Sequence, residues 1–233
     1  RFQYNMKDLG KIVIHIPARE GSKRVRKKNL REMNGKPMIS YTIEAVLNAD
    51  ITENCYVNTD SDGIIEYVKV NYPAMKIYLR DKELCNDNAQ SDHFNADIIN
   101  KLQPDTLIMI NPVCPLIEAE DIANAVNAYE KSDCDTLISS CSTHMQTFCD
   151  GEPVNIDIKD ALAPSQDNPL ITILNWAITI WEAKPFTDRI DTNGYGVWGE
   201  RISFYDIDDL KSIKVSEEKD FLMAEKLLKI RSL

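Results

Sequence analysis

No stretch of the chain approaches the ~20 consecutive apolar residues that a membrane helix requires. The first ten residues, Arg1 to Gly10, are polar and lack the apolar centre of a signal peptide. Neither a membrane span nor a cleaved leader is expected. Positive charge is in short supply: 27 Lys and Arg stand against 37 Asp and Glu, a formal charge of -10. That balance argues against nucleic acid or an anionic membrane as the partner. None of the six cysteines (Cys55, Cys85, Cys114, Cys134, Cys141, Cys149) forms a Cys-x-x-Cys pair. In a chain of this length they read as reduced thiols of a cytoplasmic protein, not as a disulfide framework or a zinc site. Internal repeats and low-complexity segments are missing. So are the dinucleotide fingerprint G-x-G-x-x-G and the P-loop G-x-x-x-x-G-K-[ST]. No Ser–His–Asp order and no paired-carboxylate spacing points to a hydrolase.

What remains is an ordinary globular composition, 43% hydrophobic and 27% charged over 233 residues, enough for one domain with a sizeable core. Short β-branched runs predict strands at Lys11 to Ile16, Asn54 to Asn58, Lys76 to Leu79, Thr106 to Ile110 and Asp135 to Ser140. Between them, apolar residues at helical spacing predict helices over Pro37 to Ala49, Ser61 to Tyr72, Ser91 to Leu102 and Glu118 to Lys131. Pro37 is placed in a first turn and Ser61 at an N-cap. This alternation implies right-handed crossovers and a three-layer α/β/α, mostly parallel Rossmann-like sheet. The rhythm breaks after about Ser142. Strand-like pieces from Val154 to Ile180 read as an antiparallel insertion or arm, and Glu217 to Arg231 reads as a closing helix.

Directly after the first strand comes Pro17-Ala-Arg-Glu-Gly-Ser-Lys-Arg-Val-Arg-Lys-Lys-Asn-Leu30. Ligands of open α/β sheets bind beyond the carboxyl ends of strands, so this loop stands where a site is expected. From Arg19 to Arg31 it holds seven basic residues and one acid; the rest of the chain carries 20 basic and 36 acidic residues. A concentrated positive loop on an acidic protein suits a polyanion. Gly21 and Ser22 allow backbone N–H groups to approach phosphate oxygens, Arg supplies forked contacts, and Lys supplies mobile charge.

The run Ile16-Pro-Ala-Arg-x-Gly-Ser-Lys-x-x-x-x-Lys-Asn-Leu30, followed by Asn34-Gly-Lys-Pro-Met-Ile-Ser-Tyr-Thr-Ile43, resembles the acylneuraminate (CMP-sialic acid synthetase-like) cytidylyltransferases. Asn58-Thr-Asp-Ser61, Arg80-x-x-x-Leu84-x-x-Asp87-x-x-x-Ser91, Asn111-Pro-Val-Cys-Pro-Leu116 and Asp220-Phe221 with Ala224-Glu225 continue the likeness. It is strong over roughly the first half of the chain and patchy later. The resemblance implies a nucleotide-diphospho-sugar transferase-like fold in one domain, 1–233, and transfer of CMP from CTP to an acidic sugar with release of pyrophosphate. By carry-over, Arg19, Lys23 and Lys28 hold the triphosphate, with Arg19 and Lys28 acting in catalysis, and Ser22 hydrogen-bonds it. Asn29, Arg80 and Ser91 surround cytosine and ribose, and Asn111 touches nucleotide or sugar. His144 and Gln166 fall on the acceptor side. The likeness further implies Mg²⁺ and a homodimer formed through an arm at about Val154 to Ala177.

Several positions depart from the family pattern. In register with Asp220-Phe221, its metal-holding Asp-x-Asp pair is replaced by Lys214 and Ser216, and lysine is a poor neighbour for a hard cation; the metal would then be held by Asp220, by the phosphates, by another carboxylate such as Asp60 or Asp62, or, through a register shift, by Asp206-Ile-Asp208. Its Pro-Leu-Arg becomes Pro-Leu-Ile117, its Asn-Gly becomes Asn175-Trp176, and the arginine ahead of Gln166 becomes Ser165. The nucleotide half is therefore kept and the acceptor and metal half altered. Three readings stay open: a cytidylyltransferase with a different acceptor, a nucleotide-binding paralogue of weak or no catalysis, and an interaction module with a basic docking loop. Among single residues, His15 is expected to pack within its strand, His93 to sit early in a helix, Cys114 and Cys141 to pack at strand ends, and Trp176 and Trp181 to be core or interface aromatics.

Overall fold

The central β-branched runs form buried strands because both faces of the sheet are covered, Lys76 to Leu79 forms a partly exposed edge strand, and each amphipathic run supplies a covering helix. The computed structural model describes residues 6–19, 21, 25–85 and 90–231. In chain order come β1 (Ile12–Pro17), the basic loop, a hairpin of β2 (Glu32–Met33) and β3 (Lys36–Pro37), then α1 (Ile39–Ala49). Next are β4 (Cys55–Thr59), α2 (Asp62–Asn71), β5 (Lys76–Leu79), α3 (Ser91–Leu102), β6 (Thr106–Ile110) and α4 (Ala119–Glu130). Then follow β7 (Thr136–Thr143), a hairpin of β8 (Phe148–Cys149) and β9 (Glu152–Pro153), and β10 (Ile171–Glu182). The chain closes with α5 (Ala183–Asn193), β11 (Ile202–Asp206) and α6 (Glu218–Arg231). The Ser61 hydroxyl caps α2 by accepting from Ile64 N–H, as its position predicted, and Glu118 and Asp121 close a capping box on α4.

Seven strands form one sheet in the order β11-β7-β10-β6-β1-β4-β5. β1 runs parallel to β4 and β6, β4 to β5, and β11 to β7. The expected three-layer α/β/α architecture is present, with one correction. The antiparallel element is not confined to an arm: β10 lies in mid-sheet, antiparallel to both β6 and β7. Residues 171–174 extend past the sheet and pair with 140–143, so only this leading part resembles the expected excursion. Ahead of it, 154–170 carry one short 3₁₀ turn, Ser165–Asp167, and expose Ile158 and Leu162. Pro37 ends β3 instead of opening the next helix.

One apolar cluster joins α1, α2 and α4 to one face of the sheet, including Ile14, Ile43, Ile64, Ile108 and Tyr129. A second joins α3 and α5 to the other face through Ile98, Leu107, Trp181 and Phe186. The third is small and decides the site: Val25, Met33, Met38, Val215, Phe221 and Ala224 pack the end of the basic loop and its hairpin against α6. The hairpin turns at Asn34 and Gly35, both at positive φ (49° and 86°), the Asn-Gly pair that a tight two-residue turn prefers.

Candidate active site

β1 lies between β4 and β6, so successive crossovers leave it in opposite directions. At such a switch point the loops beyond the carboxyl ends part and open a crevice. A cavity of about 790 Å³ occupies it, walled by Pro17 and Arg19 after β1, and by Asn111 and Pro112 after β6.

The basic loop returns to the cavity through Lys27, held at φ 50°, and a 3₁₀ turn over Lys28–Leu30. Long-range contacts to the C-terminal part of the chain fix it there. Lys28 Nζ donates to the Val215 carbonyl at 2.8 Å, and Val215 N–H donates to the Val113 carbonyl at 2.7 Å. The Arg31 guanidinium grips both carboxylate oxygens of Glu218, and Asn34 Nδ2 donates to the Glu225 carbonyl. Buried Asn29 donates to the Arg19 carbonyl at 3.3 Å, and its Oδ1, an acceptor at the cavity wall, has no partner among the described residues.

Arg80 is 4% exposed, an unusual depth for a guanidinium. Its Nε and Nη2 donate to Asn58 Oδ1 at 2.8 Å and to the Asn58 carbonyl at 3.0 Å, and its charge lies 4.4 Å from the centre of the Phe94 ring. Burial pulls its pKa below the usual arginine value. Asn58 also meets His15, with Nδ2 3.4 Å from His15 Nδ1. Burial first, then the Arg80 charge, push His15 down to about 3, so the imidazole is neutral. A neutral ring beneath Arg80 spares the site a second positive charge in the core.

Arg19, Lys28, Asn29, Arg80, Ser91 and Asn111 are thus brought together on one cavity. Asn111 holds its turn through N–H to the Ala177 carbonyl at 2.9 Å and Oδ1 to Val113 N–H at 3.3 Å. Ser22 and Lys23 lie outside the described residues. His144 and Gln166 do not line the cavity: His144 Nδ1 meets the Asn168 carbonyl at 2.6 Å, and Gln166 is exposed in the Ser165–Asp167 turn. His15 is wholly buried, as expected. Burial raises the Cys114 thiol to about 12 although Lys28 and Lys214 stand near, and it raises Cys141 as well. Both fit inert packing positions.

Asp220 serves its own helix. Its Oδ2 accepts from Ser216 N–H at 2.9 Å and Glu217 N–H at 2.8 Å, an N-terminal cap on α6. Among the described residues the cavity lining includes a single carboxylate, Asp92, whose Oδ1 accepts from Gly196 and Val197 N–H at 2.6 and 2.9 Å. Among the described residues no group of three or more His, Cys, Asp or Glu is placed to hold a metal ion. Lys214 lies on the wall where carboxylates were sought. This donor set does not fit a protein-held Mg²⁺, which wants several oxygen ligands.

Residue-by-residue reading missed part of the wall. Phe94, Met109, Val197 and Trp198 line it, and so does Trp176, which also packs against the core cluster as expected. Trp181 keeps that role, fully buried with Nε1 donating to the Val197 carbonyl at 2.9 Å. The signal for Trp176 was the departure of Asn175-Trp176 from the family's Asn-Gly pattern noted in the sequence.

Residues 12–173 match the family described as Cytidylyltransferase. CMP-N,N'-diacetyllegionaminic acid synthase of Legionella pneumophila is 36% identical over 125 residues, 52% of this chain and 53% of that protein. A pseudaminic acid cytidylyltransferase of Campylobacter jejuni is 40% identical over 119 residues, half of each chain. The chain thus matches about half the length of these two relatives. Post-translational flagellin modification protein B of Campylobacter coli is 26% identical over 237 residues, 97% of this chain and 98% of that one. A CMP:2-keto-3-deoxy-manno-octonic acid synthetase solved with CTP has the same fold, with a TM-score of 0.69 at 16% identity over 95% of this chain and 99% of its own.

Proposed function

The chain belongs to the cytidylyltransferase family, and from that premise we propose that it transfers CMP from CTP to an acidic sugar and releases pyrophosphate. One observation carries the reading: four cations, Arg19, Lys28, Arg80 and Lys214, converge on the switch-point cavity of a chain whose net charge is -10. A triphosphate supplies the complementary charge. An acceptor hydroxyl oxygen attacks the α-phosphorus in line, the bond from that phosphorus to the bridging oxygen of the β-phosphate breaks, pyrophosphate departs, and the hydroxyl proton passes to water. Positioning and neutralisation of the charge growing on the leaving group are the protein's contribution.

In this reading Arg19, Lys28 and Lys214 hold the phosphates, with Lys23 and Ser22 beside them. Asn29, Arg80 and Ser91 receive the nucleoside, and Asn111 stands between nucleotide and acceptor. Because the donor set is cationic, no step is assigned to a metal held by the protein. His144 and Gln166 act on the acceptor only across a dimer of single-domain chains, through the segment at 154–177. Acceptor candidates are the sugar acids in the relatives' names: diacetyllegionaminic, pseudaminic and N-acylneuraminic acids. The misfit for a protein-held metal favours a second reading, nucleotide binding without turnover.

Calorimetric titration with CTP, CMP, ATP and UTP, with and without Mg²⁺, comes first, followed by pyrophosphate release with each sugar acid. The reading expects CTP binding selective over ATP and lost in Lys28→Ala, with turnover on at least one acceptor. CTP binding without turnover on any acceptor would establish the second reading. No binding to any nucleotide would sink both.

A further inference from the structure

Asp92 is the odd charge on the cavity wall. Among the described residues it is the one carboxylate beside Arg19, Lys28, Arg80 and Lys214, and none of those cations pairs with it. Backbone groups meet its charge instead. It stands in the first turn of α3, where the helix dipole favours a negative group, and its Oδ1 accepts from Gly196 and Val197 N–H. Those two donors occupy both lone pairs of that oxygen. Oδ2 has no partner among the described residues.

The loop that delivers the two N–H groups is itself held. Trp181 Nε1 donates to the Val197 carbonyl at 2.9 Å, and Arg189 Nε and Nη2 donate to the Gly196 carbonyl at 3.2 and 3.0 Å. Buried Asp135 steadies Arg189 in turn, at 3.4 Å. Gly196 has no room for a Cβ, which would sit 2.7 Å from the Phe186 carbonyl oxygen. The Asp92 carboxylate is thus fixed in orientation, and Oδ2 is the oxygen left to the cavity.

Position along the wall narrows what that oxygen can meet. Asp92 lies between Phe94 and Val197, members of the apolar cluster that joins α3 and α5 to the sheet, and Phe94 packs against the Arg80 guanidinium. Lys28 and Lys214 stand at the other cluster, beside Val215, whose carbonyl Lys28 holds. A triphosphate drawn to those lysines is repelled by a carboxylate. The nucleoside is neutral and carries donors: ribose hydroxyls and, on cytosine, an exocyclic amine.

We propose that Asp92 Oδ2 accepts a hydrogen bond from a neutral donor of the nucleoside, a ribose hydroxyl or the cytosine amine, and so selects among nucleotides while the lysines take the phosphates. This rests on the cytidylyltransferase reading, in which the adjacent Ser91 receives the nucleoside, and adds the residue that discriminates there.

The test is calorimetry of the wild type and Asp92→Asn with CTP, UTP, 2′-deoxy-CTP, 3′-deoxy-CTP and tripolyphosphate. The two N–H donors keep the oxygen of the new amide, so its NH₂ replaces Oδ2 and turns an acceptor into a donor. CTP affinity should fall about tenfold or more, while tripolyphosphate affinity stays within about twofold and Tm holds because the loop keeps its anchor. If the amine is the donor, the wild type prefers CTP to UTP and the variant reverses that order, since uracil presents an acceptor at the same place. If a hydroxyl is the donor, one deoxynucleotide binds the wild type about tenfold more weakly than CTP, and the variant binds the two alike. Unchanged CTP affinity in the variant would overturn the proposal. So would an equal loss for CTP and tripolyphosphate, which would leave Asp92 a loop anchor. A wild type that binds no nucleotide would overturn the parent reading, an outcome distinct from either.

Discussion

Replacing Lys214 by alanine tests whether the cavity neutralises its ligand with the protein's own cations. Lys214 is exposed on the wall and has no carboxylate within ion-pairing distance among the described residues, so the substitution breaks no internal pair. A hydrogen bond to a charged group contributes about 1.5–3 kcal/mol, and solvent screening places an exposed lysine at the lower end. About 1.5 kcal/mol corresponds to roughly a tenfold rise in Kd for CTP. Lys28, half-buried and steadied by the Val215 carbonyl, belongs higher in the same range, so Lys28→Ala should cost ~10- to 100-fold. The assay is calorimetry at low ionic strength in buffer with a chelator, repeated as salt is raised. The Lys214 effect should shrink with salt faster than the Lys28 effect because its charge is better screened. Lys214→Asp reverses the charge and should bind CTP more weakly still in chelator, with part of the loss restored by Mg²⁺, since a new carboxylate gives a hard cation a ligand. A Kd for Lys214→Ala within about twofold of wild type would refute the reasoning and leave Lys214 as a solvated surface charge.

Asn58→Leu removes both the acceptor that orients Arg80 and the partner of His15; CTP turnover should fall ~10-fold or more, and Asn58→Asp should not rescue it, which kinetics on the two variants would check. His15 is held well below its unfolded value near 6.5, so the unfolded chain binds the extra proton between about pH 6.5 and 3. Stability is then full above that window and falls by up to about 1.4 kcal/mol per pH unit on acidification through it; urea unfolding at several pH values should show a slope that His15→Gln lacks. Asp135 is almost fully buried, pairs with Arg189 at 3.4 Å and accepts Glu200 and Arg201 N–H, so Asp135→Ala should cost about 3–5 kcal/mol in urea unfolding.

Apart from the small hairpin that ends at Pro37, the elements of the first 131 residues were legible because their signals are local. Thr106 to Ile110 is a short run rich in β-branched residues and buried throughout, Ser61 caps its helix, and Glu118 opens another. Beyond Ser142 the signals weaken for physical reasons. α5 is polar on average, carries Pro185 in its first turn, and its apolar stripe is only three residues, Ala183, Phe186 and Ile190, a weak local signal. β11 lies at the sheet edge with no residue fully buried. The antiparallel entry of β10 between β6 and β7 depends on long-range pairing that no local pattern encodes. At the site, the basic loop was readable from charge and position. The indoles on its wall were not, because Asn175-Trp176 looks like two strand residues until Trp176 is found at positive φ.

The contacts that fix the basic loop join residues 28–34 to residues 215–225, separations of 187 to 191 positions. None of α6 lines the cavity, yet its residues hold the loop in place. If the cavity binds CTP as proposed, its phosphate side should stay open during synthesis until the chain through Glu225 has left the ribosome. A nascent chain that has finished its central strands would still fail to retain nucleotide. On that reading nucleotide binding comes late in chain completion, and truncation just ahead of α6 should leave a protein that forms its sheet but does not retain CTP.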